Sequence, residues 1–445
     1  MNLLFISLGC DKNLVDTEKM LGILGGEGYS FVDDESDADV IVVNTCCFIG
    51  DAKEESVNTI LEMAELKKSG RLKALIVTGC LAERYKNEIT EEIPEVDAVL
   101  GTTSYEEIAG AIREALKGEK TLVFKDIDAP VGKETKRLGT TGGHYAFLKI
   151  AEGCDKRCTY CIIPYLRGRY RSVPMEQLEK EARELADQGV KELILVAQET
   201  TLYGKDLYGE KKLPELLRRL SSIPGIQWIR LQYCYPEEIT DELIETIKNE
   251  EKVCHYLDIP IQHASDAILK RMGRRTSNKE IRELVAKLRR EIPDIALRTT
   301  FISGFPGETE EDHEILMEFV DDMEFDRLGV FAYSPEEDTP AYSFKDQVPD
   351  EVKEERRAEI MELQQDIAFE KSESMKGSVL EVMIEGKVAD ENAYVGRTYM
   401  DSPGVDGLIF VNTGLSLMSG DFVRVRVTGA LEYDLIGEVE DEFTE

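Results

Sequence analysis

Nine cysteines occur in this chain, and six of them sort into two sets of three. Cys154, Cys158 and Cys161 lie together in GCDKRCTYC, a C-x3-C-x2-C run. Cys10, Cys46 and Cys80 are 36 and 34 residues apart, and each ends a short apolar run: SLGC, VVNTC and IVTGC. Iron–sulfur clusters are held by thiolates, usually four to a cluster. Three cysteines within eight residues can bind three irons of a 4Fe–4S cube and leave the fourth iron open for chemistry. Structural zinc prefers four ligands in paired C-x2-C units, and no second pair or nearby His completes this set. Tyr160, beside the last cysteine, is placed to shield such a cluster. The dispersed set has the same arithmetic of three ligands and one open iron, against the alternative of three buried thiols in an α/β core. Cys47 adjoins Cys46, but successive side chains on a strand diverge, so one of the two is expected to be a ligand.

The elements that must position these groups are legible as alternating patterns. NLLFISL, DVIVVNT and ALIVTG read as buried parallel strands, each followed by an amphipathic stretch, which predicts an open parallel α/β sheet over 1–117. Ligands of such sheets collect beyond the carboxyl ends of the strands, where Cys10, Cys46 and Cys80 all fall. A polar connector over 118–143 leads to a second α/β series, 144–374. Its strand candidates are YAFLKIAEG, ELILVAQET, WIRLQYCYP, YLDIPIQHA, ALRTTFISG and RLGVFAYSP. Six βα units are fewer than the eight of a closed barrel, so a partial barrel is expected, with Cys154, Cys158 and Cys161 directly after its first strand. After a long charged helix, 375–445 carries short alternating strands with Gly turns, the pattern of a small antiparallel β-barrel. Cys234 and Cys254, in the third and fourth barrel strand regions, read as packing residues.

The 445-residue chain has a formal net charge of −35. Its last 70 residues, 376–445, hold 14 acidic against 5 basic residues, a net of −9. This balance repels nucleic acid and anionic membrane and favours a basic partner. RGRYRS, from Arg167 to Ser172, is a local basic stripe, open to a role toward a cofactor or a carboxylate. The start lacks a basic n-region, and no run of about 18 apolar residues occurs, so a cytoplasmic protein without a membrane span is expected.

The C-x3-C-x2-C run on the first loop of a six-stranded partial barrel resembles the radical S-adenosylmethionine superfamily, over about residues 144–370. The resemblance implies that S-adenosylmethionine chelates the open iron and is cleaved by one electron to a 5′-deoxyadenosyl radical. It also implies cofactor contacts at Gln198 and Glu199, which end the second strand, and at Gly304 and Glu308 in TTFISGFPGETEED, where Gly307 also lies. An ordinary Gly-Pro turn with helix capping is the alternative for that segment. No conventional acid–base pair is singled out. His263, in PIQHAS, stands at a strand end where an imidazole meets either substrate or a structural partner.

SLGCDKNLVDTE and VVNTCCF, with the barrel and a terminal domain similar to the TRAM module, resemble the methylthiotransferases. In that family a second 4Fe–4S cluster on the N-terminal domain carries the sulfur that is inserted, which assigns Cys10, Cys46 and Cys80. SLGCDKN, IPIQHAS and AYSPEEDTPAY resemble the branch that modifies an aspartate β-carbon in the twelfth protein of the small ribosomal subunit. The alternative is the branch that modifies adenosine in transfer RNA, and a two-cluster electron carrier is a further one. A low-potential donor such as flavodoxin or ferredoxin is implied as a partner, with RNA binding not primary.

Overall fold

The computed structural model describes residues 1–131, 135–389 and 391–440. Its first part is a six-stranded, all-parallel sheet. The spatial order is Ser30–Phe31, Asn2–Ser7, Val40–Thr45, Ala74–Gly79, Ala98–Leu100 and Thr121–Val123. Every residue of Val40–Thr45 and Ala74–Gly79 is buried, as expected for central parallel strands covered by helices on both faces. The strand order reverses between Asn2–Ser7 and Val40–Thr45. That switch point is where doubly wound sheets open a ligand crevice. The sequence reading assigned 118–143 to a connector, but Thr121–Val123 pairs with Ala98–Leu100 as the last strand of this sheet.

The second part is a six-stranded parallel sheet formed from all six expected strands. Their order is Tyr145–Lys149, Glu192–Val196, Trp228–Leu231, Val253–Gln262, Ala296–Ser303 and Arg327–Ala332. The first and last strands do not pair, so the barrel is open at one side. The 25-residue helix Asp350–Ser374 packs along the Arg327–Ala332 strand and leads to the third part. There Val379–Lys387, Ala393–Arg397, Ile409–Asn412, Phe422–Ala430 and Leu435–Val439 close into a barrel. Four of its five strand pairings are antiparallel, and Ile409–Asn412 with Leu435–Val439 is parallel. Among the described residues no helix is long and apolar enough to cross a membrane.

The terminal barrel is fastened under the central one, at the ends of the strands opposite the cysteine loop. Glu192, fully buried, holds Arg230 at 2.7 Å and Arg397 of the terminal domain at 2.6 Å. Arg327 pairs with Asp401, and Arg298 contacts Asp406 at 3.2 Å. The loop between Arg397 and Asp406 therefore plugs the barrel floor with ion pairs. Removing one partner of a buried set strands the others without compensation. Glu192→Ala should cost about 3–5 kcal/mol, read as a lowered denaturant midpoint.

Candidate active site

Cys10, Cys46 and Cys80 follow three adjacent strands of the first sheet, Cys10 and Cys46 flanking its switch point. Cys10 is the N-cap of helix Asp11–Gly26, with no side-chain capping bond, and Cys80 opens helix Cys80–Glu92. Helix N-termini favour thiolate over thiol. Gly9 is required here. Its φ is +89°, and a Cβ there would stand 2.6 Å from Cys46 Cβ and 2.9 Å from Cys46 Sγ. Gly9→Ala should cost about 1–3 kcal/mol in backbone strain and displace Cys46, seen as a lower Tm with reduced iron uptake.

Asn13 ties the crevice together. Its Nδ2 donates to Leu8 O at 3.1 Å and Thr45 O at 3.0 Å, and its Oδ1 lies 3.9 Å from Cys80 Sγ. Asn44 Nδ2 donates to Asn13 O at 2.8 Å, and Ser56 clamps Cys46 through the Cys46 N–H and C=O. Burial, with Cys80 and Cys10 nearby, pushes the Cys46 thiol up to about 12. Burial also raises Cys80, against the lowering charge of Arg167. Cys47 is fully buried and packs in one hydrophobic cluster with Ile60, Val77, Leu81 and also Cys80.

The compact set sits on the loop after Ala151–Glu152, which pairs with Arg171–Ser172 as a two-stranded clasp. Gly153 has φ +80°, and a Cβ there would meet Arg169 O at 2.0 Å. Cys154 N donates to Gly168 O, Cys161 N to Cys158 O, and Thr159 N to Met272 O. Burial pushes Cys154 up to about 12 and raises Cys161. Buried neutral thiols release their protons when a cation is bound, so both sets suit metal ligation in their donor chemistry. Among the described residues no three or more His, Cys, Asp or Glu side chains gather as for one ion. A cube takes each thiolate on its own iron.

Around this loop lie buried polar atoms without hydrogen-bond partners: Gln198 Oε1, Glu199 Oε2, Thr200 Oγ1, Tyr170 OH, and Nε and Nη1 of Arg274. Glu199 Oε2 has Lys156 Nζ at 3.2 Å, an ion pair without hydrogen-bond alignment. Burial raises the Glu199 carboxyl to about 7. Arg274 stacks on the Tyr235 ring at 4.4 Å. Acceptors on one side and a guanidinium on the other are what a zwitterionic amino-acid group would satisfy. Gln198 and Glu199 thus stand beside the cysteine loop. Lys156 and Arg274 were missed in the sequence, where nothing local distinguishes a buried cation from a surface one.

Gly304 and Glu308 form a turn fastened to the long helix. Phe305 N donates to Glu308 Oε2 at 3.1 Å, Arg356 lies 3.0 Å from Glu308 Oε1, and a Cβ at Gly304 would strike Lys353. Phe305 in this turn packs edge-on against Tyr160, with ring centroids 6.4 Å apart. His263 is fully buried, accepts from Ser265 N at 2.9 Å through Nδ1, and has Nε2 3.4 Å from Glu308. Nε2 makes no hydrogen bond. Cys234 and Cys254 are packed in core clusters. The RGRYRS stripe is split: Arg169 is exposed, while Arg167 is 2% exposed and buried among acidic groups.

The first sheet and the barrel meet across a buried seam. Asp16 bonds Lys149 and, at 2.8 Å, Arg167; Glu18 bonds Arg137; Lys12 Nζ stands 3.4 Å over the Tyr233 ring. At the open side of the barrel, Gly50 N donates to Ser334 Oγ at 3.0 Å and Arg84 pairs with Glu336 at 2.8 Å. A cleft of about 480 Å³ opens there, lined by Ile49, Asp51, Phe331, Tyr333, Lys353 and Arg357.

Residues 148–320 match the radical SAM superfamily, residues 2–101 the uncharacterized protein family UPF0004, and residues 377–439 the TRAM domain. The chain is 67% identical over 440 residues to the ribosomal protein uS12 methylthiotransferase RimO of Lachnoclostridium phytofermentans, covering 99% of this chain and 100% of the relative. It is 54% identical to the protein of the same name from Acetivibrio thermocellus, over 98% of each. In fold it is similar to the radical S-adenosylmethionine methyltransferase TsrM of Kitasatospora setae, with a TM-score of 0.54 at 14% identity, covering 74% of this chain and 72% of that one.

Proposed function

The chain belongs to the ribosomal protein uS12 methylthiotransferase family, and on that premise we propose that it attaches a methylthio group to the β-carbon of an aspartate in that ribosomal protein. It is a radical SAM methylthiotransferase. The observation that carries the substrate reading is full-length identity of 67% to a relative bearing that name. In this reading Cys154, Cys158 and Cys161 hold a 4Fe–4S cluster with S-adenosylmethionine, and Cys10, Cys46 and Cys80 hold a second cluster. Bound there, the cofactor pair supplies a carbon-centred radical that abstracts hydrogen, and the second cluster supplies sulfur.

The chain's own residues bind, orient and shield. Gln198 and the Glu199 carboxylate offer acceptors to the amino group of the bound cofactor, and Arg274 offers donors to its carboxylate. Glu199, raised toward neutrality, holds a proton or a charge as that group arrives. Gly304 and Glu308 keep the fifth-strand turn beside Tyr160, on the side proposed for the adenosine. The barrel walls and the plugged floor exclude water from a reactive radical. The cleft between Asp51 and Tyr333 is the proposed entry for the substrate loop.

Charge favours a protein substrate over RNA. In the terminal domain Arg397 is spent on Glu192 and Glu385, Arg424 and Arg426 both pair with Glu440, and Lys376 pairs with Glu373. That leaves Lys387, exposed, as the one basic residue of the described terminal domain without such a pair. RNA binding needs phosphate-neutralising cations. An acidic enzyme instead attracts a strongly basic ribosomal protein and speeds the encounter. The reading places the enzyme in the cytoplasm with a flavodoxin or ferredoxin as electron donor. In a strain lacking the gene, the ribosomal protein should lose a mass equal to one CH2S unit while transfer RNA is unchanged. Loss from transfer RNA alone would overturn the substrate assignment.

A further inference from the structure

We propose that Arg167 is a positioning residue of the N-terminal cluster: sent across from the barrel, its guanidinium stands behind Cys80 with the Asn13 side-chain oxygen between them, and its charge raises that cluster's reduction potential. The inference rests on the reading that Cys10, Cys46 and Cys80 hold a cluster.

Arg167 ends the short helix Ile163–Arg167, which begins two residues after Cys161. By chain position this helix belongs to the barrel, but its apolar side does not. Ile162 and Leu166, at 1% and 2% exposure, pack into the core of the first sheet with Cys47, Cys80 and Leu81. Thr102 Oγ1 donates to Leu166 O at 2.7 Å and secures the helix to the same domain. The guanidinium is thereby held in place. Its Nη1 donates to Asp16 at 2.8 Å and Glu152 at 3.2 Å, and its Nη2 donates to Asn13 Oδ1. That same Oδ1 lies 3.9 Å from Cys80 Sγ. Asn13 Oδ1 thus links the Arg167 guanidinium to the Cys80 sulfur.

The potential of an iron–sulfur cluster is set by net charge, hydrogen bonds to its sulfurs and solvent exposure. A fixed cation behind a ligating sulfur stabilises the more negative, reduced state. Groups behind the ligands also fix their orientation. Arg167 does both, and it stands six residues from a ligand of the other cluster, so the loop that builds one site also tunes the other.

The test is an anaerobic potentiometric titration followed by electron paramagnetic resonance on the full chain. Replacing Cys154, Cys158 and Cys161 together by Ala leaves only the N-terminal cluster in view. In that background Arg167→Gln should lower the reduced-to-oxidised ratio at fixed poise about tenfold, a fall of about 59 mV for a one-electron couple. Arg167→Lys, which keeps charge but loses the planar fork, should fall between, and it carries the test if the Gln variant does not fold. Asp16→Asn disturbs the same ion pairs but leaves the guanidinium in place, and should not lower the ratio. Equal potentials in Arg167→Gln, Arg167→Lys and the parent, with equal iron content, would overturn the role of Arg167. A parent background that binds no iron would instead overturn the cluster assignment itself, and the inference with it.

Discussion

Replacing any one of Cys154, Cys158 or Cys161 by Ala should reduce 5′-deoxyadenosine formation to that of an enzyme-free blank. The three thiols come from one loop, fixed by the left-handed Gly153 and by backbone bonds from Cys154, Thr159 and Cys161. None of the three is part of the main barrel core, in which Leu148, Leu195 and Ile229 are packed. Their loss should therefore cost only about 1 kcal/mol in stability, an ordinary value for a point substitution, while removing a ligand without substitute. The effect should appear as lost iron and lost cleavage together, with Tm nearly unchanged. Cleavage at the parent rate in any of the three would show that the loop does not hold the cofactor cluster.

Replacing Cys10, Cys46 or Cys80 by Ala should separate the two halves of the reaction. Cleavage of S-adenosylmethionine should continue, and methylthio product should vanish. The dispersed thiols lie on another sheet, and Cys80 reaches the barrel through Asn13 and Arg167, which follows Cys161 in the chain, and not through any of the three compact thiols. The large effect belongs to sulfur transfer, which needs all three ligands; Cys47 is fully buried next to Cys46, and successive side chains of an extended chain diverge. Cys46 and Cys80 are buried, so truncation costs about 1–2 kcal/mol, which a melting curve will register. Joint loss of cleavage and transfer, with a collapsed Tm, would assign these residues a folding role instead. Product and 5′-deoxyadenosine measured in one reaction decide between the two.

The three compact cysteines were readable as one set because they are local in sequence, and the barrel strands because each is a mainly apolar run between polar turns, even the part-buried Arg327–Ala332. The dispersed site needed topology: 36 residues separate Cys10 from Cys46, and only the parallel strand order brings them to one switch point. Two-residue and three-residue edge strands, Ser30–Phe31 and Thr121–Val123, carry too little pattern to be seen. Their pairing is dictated by the neighbours they lie against. Long-range polar partners were equally hidden. Arg167 and Arg169 are alike in sequence, yet one is buried against Asp16 and the other is exposed. Glu192 sits in an apolar run, and its meaning comes from Arg397, 205 residues away.

The most direct measurement offers the reconstituted enzyme, with S-adenosylmethionine and a low-potential reductant, the uS12 ribosomal protein and transfer RNA in one vessel, and then weighs both intact. The expected result is a gain of one CH2S unit on the protein, located by fragmentation to an aspartate, with transfer RNA unchanged. A gain on transfer RNA, or abundant 5′-deoxyadenosine with no gain on the protein, would contradict the assignment.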